Sequence, residues 1–273
     1  MKKISVLGCG WLGFPLAQKL LSTGHVVKGS TTSFDKMELM RSSGIDPYML
    51  ILNPDLRTKN IETFLESEFL IINIPPGRVE EKVLYHTYQI KELVTPIKNS
   101  SIEKIIYISS TSVYGDNCGK VSENDFVNPV TEGGKAVKAA EELLKTEFSS
   151  NLTIIRFGGL IGENRTPARI LTRKNIFEDG NVPINLIHLN DCIGIISEVI
   201  IQDKFGEIFN GVCSKHLTKE EFYTKAAINS KIKIPIFKNS AKQNFKIVDN
   251  TKVKTELNYK FIFDDPLKML EGN

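Results

Sequence analysis

Residues 4 to 13 read ISVLGCGWLG, a short apolar run followed by Gly8-Cys9-Gly10-Trp11-Leu12-Gly13, the spacing G-x-G-x-x-G. Residues 11 to 22 then place Leu12, Leu16 and Leu20 on one helical face, and the pattern stops at Gly24. The stretch predicts a strand, a glycine turn and a helix. In that setting each glycine has a mechanical role. Gly8 permits the tight turn, Gly10 lets a pyrophosphate approach the backbone, and Gly13 lets helix and strand pack closely, while the amino end of the helix attracts phosphate. A bare glycine turn needs no such flanks, so the context favours a dinucleotide site that includes Trp11 and Leu12.

Working outward, apolar runs recur at HVVKGS (25–30), PYMLIL (47–52), FLIINI (69–74), KIIYISS (104–110) and LTIIRF (152–157). Continuous rather than alternating hydrophobicity marks strands covered on both faces, as in a parallel sheet. Helical patterns lie between them at 34–43, 60–66, 79–98 and 134–148. The alternation predicts an α/β protein with a doubly wound parallel sheet, a Rossmann fold. After Phe157 the rhythm changes to a glycine-rich stretch and a basic, irregular region, then INLIHL, a helix beginning near Asp191 and the strand EIFNGV. Thr218 and Glu221 have the spacing of a capping box. The expected division is a dinucleotide-binding domain over 1–157 and a smaller α/β substrate lobe over 158–273, interleaved with the last strands and helices of the main sheet.

An NAD site usually carries Asp or Glu near the end of the second strand. Here that stretch is Lys28-Gly29-Ser30-Thr31-Thr32-Ser33. The hydroxyls of Ser30, Thr31, Thr32 and Ser33, with Lys36 nearby, suit a ribose phosphate, which favours NADP over NAD. The same residues also serve as plain turn formers, and Asp35 is close enough to leave NAD open.

The 273 residues carry 35 Lys plus Arg against 32 Asp plus Glu, a net charge of +3. That near-balance argues against a protein dedicated to nucleic acid, and 41% hydrophobic with 25% charged residues is the composition of a folded globular chain. Cys9, Cys118, Cys192 and Cys213 are scattered and form no C-x-x-C pair. Neither a disulfide framework nor a zinc knuckle is expected, and no metal site. The start, MKKISVLGC, leaves too few residues between Lys3 and Cys9 for a secretory apolar region, and no run reaches the roughly 18 residues of a membrane span. A soluble, cytoplasmic protein is expected.

At residues 109 to 115 the fifth strand ends in Ser-Ser-Thr-Ser-Val-Tyr-Gly, which resembles the S-S-x-x-V-Y-G segment of extended short-chain dehydrogenases, the nucleotide-sugar epimerase and dehydratase branch. Arg156-Phe-Gly-Gly-Leu-Ile-Gly is similar to that family's loop after the sixth strand, Ile187-His188-Leu-Asn-Asp191 to its I-H-v-x-D segment, and residues 249 to 259 to its N-x-K-x-x-x-E-L-G-Y tail, with Asn258 replacing glycine. The resemblance spans nearly the whole chain. Two departures stand out. Leu7 replaces the first glycine of the family's G-x-x-G-x-x-G, and none of the seven tyrosines has a lysine four residues later. Counting back from Lys135 reaches Thr131, whereas registering the helix on Glu141 puts Gly133 and Val137 at the two positions. The chain thus looks like the subgroup that lacks the catalytic tyrosine and is described only as NAD(P)-binding.

The resemblance implies Ser109 and Lys135 beside the cofactor, Ser110 holding a substrate hydroxyl, and Ile74 and Pro75 lining the cofactor where the chain passes it. Ser110, Lys135 and Thr131 are the catalytic candidates. A phenol near pKa 10 can be tuned toward neutrality by a neighbouring ammonium, whereas an aliphatic hydroxyl cannot, so Thr131 positions an oxygen but relays protons poorly. Alternative acids are Glu132, Tyr85, His86 and Tyr88, each also readable as a surface or packing residue. His188 and Asp191 read as fixing a turn and capping a helix. Basic residues at 165, 169, 173 and 174 read as a solvated loop or a dock for a nucleotide-sugar diphosphate. The function expected is an NADP-dependent oxidoreductase or epimerase/dehydratase for a sugar or nucleotide-sugar, with a homodimer through the helices at 79–98 and 134–148. The alternative is a catalytically inactive NADP-binding sensor. A β-hydroxyacid dehydrogenase also begins like this, but its second domain is all-helical and this half is rich in strands.

Overall fold

Seven strands form one parallel sheet: β1 (Lys3–Leu7), β2 (Val26–Thr31), β3 (Asp46–Met49), β4 (Phe69–Ile72), β5 (Lys104–Ser110), β6 (Leu152–Phe157) and β7 (Ile208–Gly211). Their order is β7-β6-β5-β4-β1-β2-β3. The computed structural model describes residues 1–58, 60–116, 119–239 and 244–271. Cys118 lies outside the described residues, and Cys9, Cys192 and Cys213 are free and buried. The longer helices are α1 (Gly13–Ser22), α2 (Phe34–Ser42), α3 (Lys82–Lys98), α4 (Glu132–Phe148), α5 (Leu189–Ile201) and α6 (Lys219–Asn229).

The unbroken apolar runs are explained by two cores, one on each side of the sheet. Successive residues of a strand point to opposite faces, so Ile4, Val6, Ile71 and Ile106 pack with Leu16 and Leu20 of α1 and Ile195 and Val199 of α5. Leu7, Leu70, Ile72 and Ile105 face the other way, onto Ile90 and Leu93 of α3 and Ala140 and Leu144 of α4. Each such side chain, fully buried, contributes roughly 1.5–3 kcal/mol. In register, Ile4 lies between Val27 of β2 and Phe69 of β4. The chain builds outward from β1 to β3 and then returns to place β4 on the other side. The crevice above the carboxyl ends of β1 and β4 is therefore the switch point of the sheet, where ligands bind in such folds.

Two expected elements differ. PYMLIL is divided: β3 stops at Met49, and Ile51–Leu52 pairs antiparallel with Leu56–Arg57, because the Leu50 amide bonds the Thr31 carbonyl and ends the ladder there. The pattern at 60–66 forms only the short helix Ile61–Phe64. EIFNGV supplies β7, the sheet's edge strand beside β6.

The rest of the second half is built from small pairs. Gly159–Ile161 pairs with Leu186–His188, and Ile176–Glu178 with Ile236–Lys238, both parallel. Phe222, Ala226 and Ala227 support them with Leu171 and Phe177. The capping box forms, with Thr218 accepting from the Glu221 amide and Glu221 accepting from that of Thr218. His188 caps α5 through Nδ1, which accepts from the Asn190 amide at 3.2 Å. Asp191 is buried and anchors the tail, accepting from the Tyr259 hydroxyl (2.9 Å) and the amides of Ile262 (2.7 Å) and Phe263 (3.0 Å). Asn258 has φ +46°; asparagine is among the few residues that replace glycine there at small cost.

Candidate functional site

Gly8 leaves β1 with φ +99°, a value glycine adopts freely. A methyl group there would lie 2.6 Å from the Asn73 carbonyl oxygen, and one at Gly13 would lie 2.2 Å from that of Gly8. At Gly10 no heavy atom lies within 4 Å of where a methyl would stand, because Gly10 faces an open cavity of about 270 Å³. The turn is pinned from both neighbours: the Gly8 amide donates to Ser30 Oγ (2.9 Å) and the Asn73 side-chain amide to the Gly8 carbonyl (2.9 Å). No side chain caps the first turn of α1. Its end supplies amide donors and a positive field, a cradle that could hold a diphosphate. Cys9, between the glycines, is inert: burial pushes its thiol up to about 12.

Of the polar residues at and just beyond the end of β2, Ser30, Thr31, Thr32 and Lys36 line this cavity, and neither Ser33 nor Asp35 is among its walls. Ser30 is spent on Gly8, and Thr31 Oγ1 accepts from the Ser33 amide at 3.1 Å. Thr32 and Lys36 are exposed and uncommitted. Leu50, Leu52 and Gln89 also line the space.

A second cavity of about 270 Å³ continues from the first and shares Gly10, Asn73, Ile74 and Pro75 with it. Trp11, Leu12, Ser109, Ser110 and Val137 also line it. Ser109 Oγ donates to Glu141 Oε1 at 2.5 Å, and Ser110 Oγ accepts from the Ser112 amide at 3.1 Å, capping the 3-10 turn Thr111–Val113.

The rotation of α4 decides what reaches this cavity. Glu141, 1% exposed, accepts from Arg156 Nε (2.9 Å) and Nη2 (2.6 Å) in a buried bidentate pair. Arg156 Nη1 donates to the Tyr114 hydroxyl, which donates to Asn210 Oδ1, both at 2.9 Å. Gly134 packs tightly enough that a methyl would lie 2.4 Å from the Ser112 carbonyl oxygen. These contacts select the register through Glu141. Val137, one turn earlier, faces the cavity, and Gly133, a turn earlier again, has open space around it. Thr131 and Lys135 are not brought there. The Thr131 hydroxyl caps α4 by accepting from the Gly134 amide at 3.1 Å, and the Lys135 ammonium pairs with Glu132 at 2.7 Å on the exposed face.

The alternative acids are likewise committed elsewhere. His86 Nε2 bonds the Tyr107 hydroxyl and Nδ1 bonds Gln89 Oε1, each at 3.1 Å. Burial lowers His86 and raises the Tyr107 phenol, so both stay neutral near pH 7. Tyr85 donates to Asn53 Oδ1 at 2.9 Å, and Tyr88 is exposed. Sequence reasoning missed Asn73 and Tyr107. Asn73 falls just after an apolar strand, a position that a search for turn-pinning side chains would find.

A third cavity, about 570 Å³, adjoins the second and shares Trp11, Leu160 and Arg165 with it. The expected run Arg165, Arg169, Arg173 and Lys174 gathers here, joined by Arg78 from the loop after β4, which sequence reasoning had not included. Among the described residues the arginines in carboxylate pairs are Arg41 and Arg156, so none of these five cations is neutralised by Asp or Glu. The Arg165 guanidinium lies 4.9 Å from the Trp11 ring centroid, and Trp11 Nε1 donates to the Glu163 carbonyl at 2.5 Å. Among the described residues no three His, Cys, Asp or Glu gather as a metal site, and no helix is long and apolar enough to cross a membrane.

Comparison with known proteins follows this geometry. No family model matches the chain. Protein YeeZ of Escherichia coli (strain K12) is 35% identical over 272 residues, covering 98% of this chain and 99% of that one. A Bacillus subtilis (strain 168) protein described as an uncharacterized UDP-glucose epimerase, YtcB, is 26% identical over 228 residues, 72% of each. Among solved structures, UDP-glucuronic acid 4-epimerase from Bacillus cereus in complex with NAD superposes with TM-score 0.80 at 20% identity, over 99% of this chain and 97% of that one. A short-chain dehydrogenase/reductase superfamily protein from Agrobacterium tumefaciens with bound NAD gives 0.81 at 14% identity, over 98% and 95%. Full-length similarity to YeeZ shows that the chain belongs to the same family as that protein, and its seven-stranded parallel sheet with the glycine turn at the switch point gives it the fold of the epimerase and short-chain dehydrogenase/reductase structures.

Proposed function

We propose that the chain binds NADP along the first two cavities and is an oxidoreductase or epimerase/dehydratase for a sugar or nucleotide-sugar. The observation that carries this reading is the open cradle at Gly10, with Thr32 and Lys36 on its wall and no carboxylate from Asp35 there. Gly8, Gly10, Trp11, Leu12 and Gly13 would take the diphosphate. Thr32 and Lys36 would take the ribose phosphate, which a carboxylate would repel. Ile74, Pro75 and Ser109 would wall the far end. The bound dinucleotide would supply two-electron redox equivalents. Ser110 retains a hydroxyl proton for a substrate oxygen, and the basic cavity offers charge-assisted bonds to an anionic group such as a nucleotide-sugar diphosphate. The named activities of the similar proteins in B. subtilis and B. cereus support this substrate class.

A second reading, an NADP-binding sensor without catalysis, is favoured by one observation: Val137 rather than a lysine of α4 lines the middle cavity, and Lys135 turns outward. We place the protein in the cytoplasm as a homodimer through α3 and α4, where Leu84 and Tyr88 are exposed. The test is calorimetric titration of nucleotide-stripped protein with NADP and with NAD, then a turnover screen beginning with UDP-glucose. Tight NADP with weaker NAD is expected, and binding of neither would end both readings. Turnover of any sugar would decide for the enzyme over the sensor.

A further inference from the structure

The three cavities form a row, and one cation lies at the junction of the second and third. Among the described residues Arg165 is the one Lys or Arg lining the middle cavity; α4 presents Val137 there, and Lys135 is paired with Glu132 outside. Apart from the Ser110 hydroxyl, which is neutral and keeps its proton, the side-chain donors around that cavity are already used. The Asn73 amide holds Gly8, the Ser109 hydroxyl holds Glu141, and the Tyr107 hydroxyl is bonded to His86. The Arg165 guanidinium rests on the face of Trp11, a residue of the glycine turn itself, and is exposed. Trp11 is tied to the same segment through its bond to Glu163 and through Gly162, where a methyl would lie 3.2 Å from the indole. The loop 162–165 is thereby attached to the turn that would carry the diphosphate.

Two anions are expected on either side of this residue: the dinucleotide diphosphate on the turn and an anionic substrate group among Arg78, Arg169, Arg173 and Lys174. Like charges in adjoining cavities repel, and the repulsion is stronger at a protein wall than in bulk water. We propose that Arg165 is the bridging cation that offsets this repulsion, a positioning residue through which the dinucleotide and the anionic substrate are held together. Arg169, Arg173 and Lys174 border the basic cavity alone and serve the anion only. The inference rests on the NADP reading above and adds the partition of roles to it. Because linkage is reciprocal, loss of Arg165 makes each ligand an antagonist of the other.

The test is a thermodynamic cycle with inorganic pyrophosphate as the anion probe, titrated calorimetrically into free and NADP-saturated protein. The wild type, Arg165→Gln, Arg165→Lys and Arg173→Gln are compared. The emission of Trp11, the single tryptophan of the chain, reports binding at the junction independently. In the NADP complex the dinucleotide holds the turn, so the remaining pyrophosphate site is the basic cavity. The expected result is that Arg173→Gln weakens pyrophosphate by the same factor with and without NADP, while the Arg165→Gln penalty is about tenfold larger with NADP, and Arg165→Lys restores most of it. Equal penalties for Arg165→Gln in the two states would overturn the bridging role. So would normal NADP binding with no pyrophosphate site in the complex. Absence of NADP binding to the wild type would instead overturn the underlying reading, and the bridge with it.

Discussion

The two ends of the candidate groove lie on the same sheet but are held by different contacts. At the glycine turn, the proposed binding and the fold use the same atoms. Gly8 and Gly13 are closed by backbone at 2.6 and 2.2 Å, and only Gly10 looks into open space. At α4 they are less closely shared: Glu141 and its pair with Arg156 hold the helix, while Val137 belongs to the same core cluster as Tyr114 and also lines the middle cavity, and Gly133 has open space around it. A residue that serves both packing and binding is hard to lose. A residue with open space around it, as at Gly133, can change at little cost to the fold.

The comparison can be broken by substitutions at either end. The largest effect is expected for Glu141→Gln, which leaves a buried guanidinium uncompensated. About 3 kcal/mol of stability or more should be lost, a fall in Tm of roughly 6–10 °C by calorimetry; a fall under 2 °C would show that the pair does not hold the helix. Next comes Gly10→Ala, with Tm unchanged because nothing crowds the new methyl, but with NADP affinity reduced about a hundredfold, since the methyl enters the diphosphate space. Lys36→Glu is expected to shift the NADP-to-NAD affinity ratio about tenfold toward NAD, measured in the same titration.

His86 lies behind the wall between the two ends, and its pKa is held below the ordinary 6.5 by burial. The unfolded chain therefore binds a proton at a pH where the folded chain does not. Its contribution is complete above the ordinary histidine pKa and is lost progressively as the pH falls below it. Urea midpoints across that range should decline, and His86→Gln should flatten the decline. The smallest effect is expected for Lys135→Met, within about twofold of wild type in NADP affinity, since Lys135 is an exposed partner of Glu132.

What was legible in the sequence follows the same division. The glycine turn and the apolar strands could be read because sterics and burial on both faces leave local signatures. The capping box at Thr218 was equally local. The register of α4 was left open between Lys135 and Glu141, because it is set by Arg156, a partner on another element, and by the close approach of Gly134 to Ser112. The hydroxyl cluster was only partly legible for a similar reason: Ser30 and Thr31 accept from backbone amides, which composition does not reveal. The basic run was visible as charge. Its closure by Arg78, from a loop almost ninety residues earlier than Arg165, was not.

The measurement that tests the central claim most directly is a crystal structure of the protein grown with NADP. The expected result has the diphosphate on the amides at Gly10 to Leu12, the ribose phosphate beside Thr32 and Lys36, Val137 against the far end of the dinucleotide, and Lys135 still paired with Glu132. A Lys135 ammonium within about 3 Å of the nicotinamide ribose, with α4 turned away from its Glu141 register, would contradict the account in which Glu141 anchors this helix and Lys135 stays outside the groove.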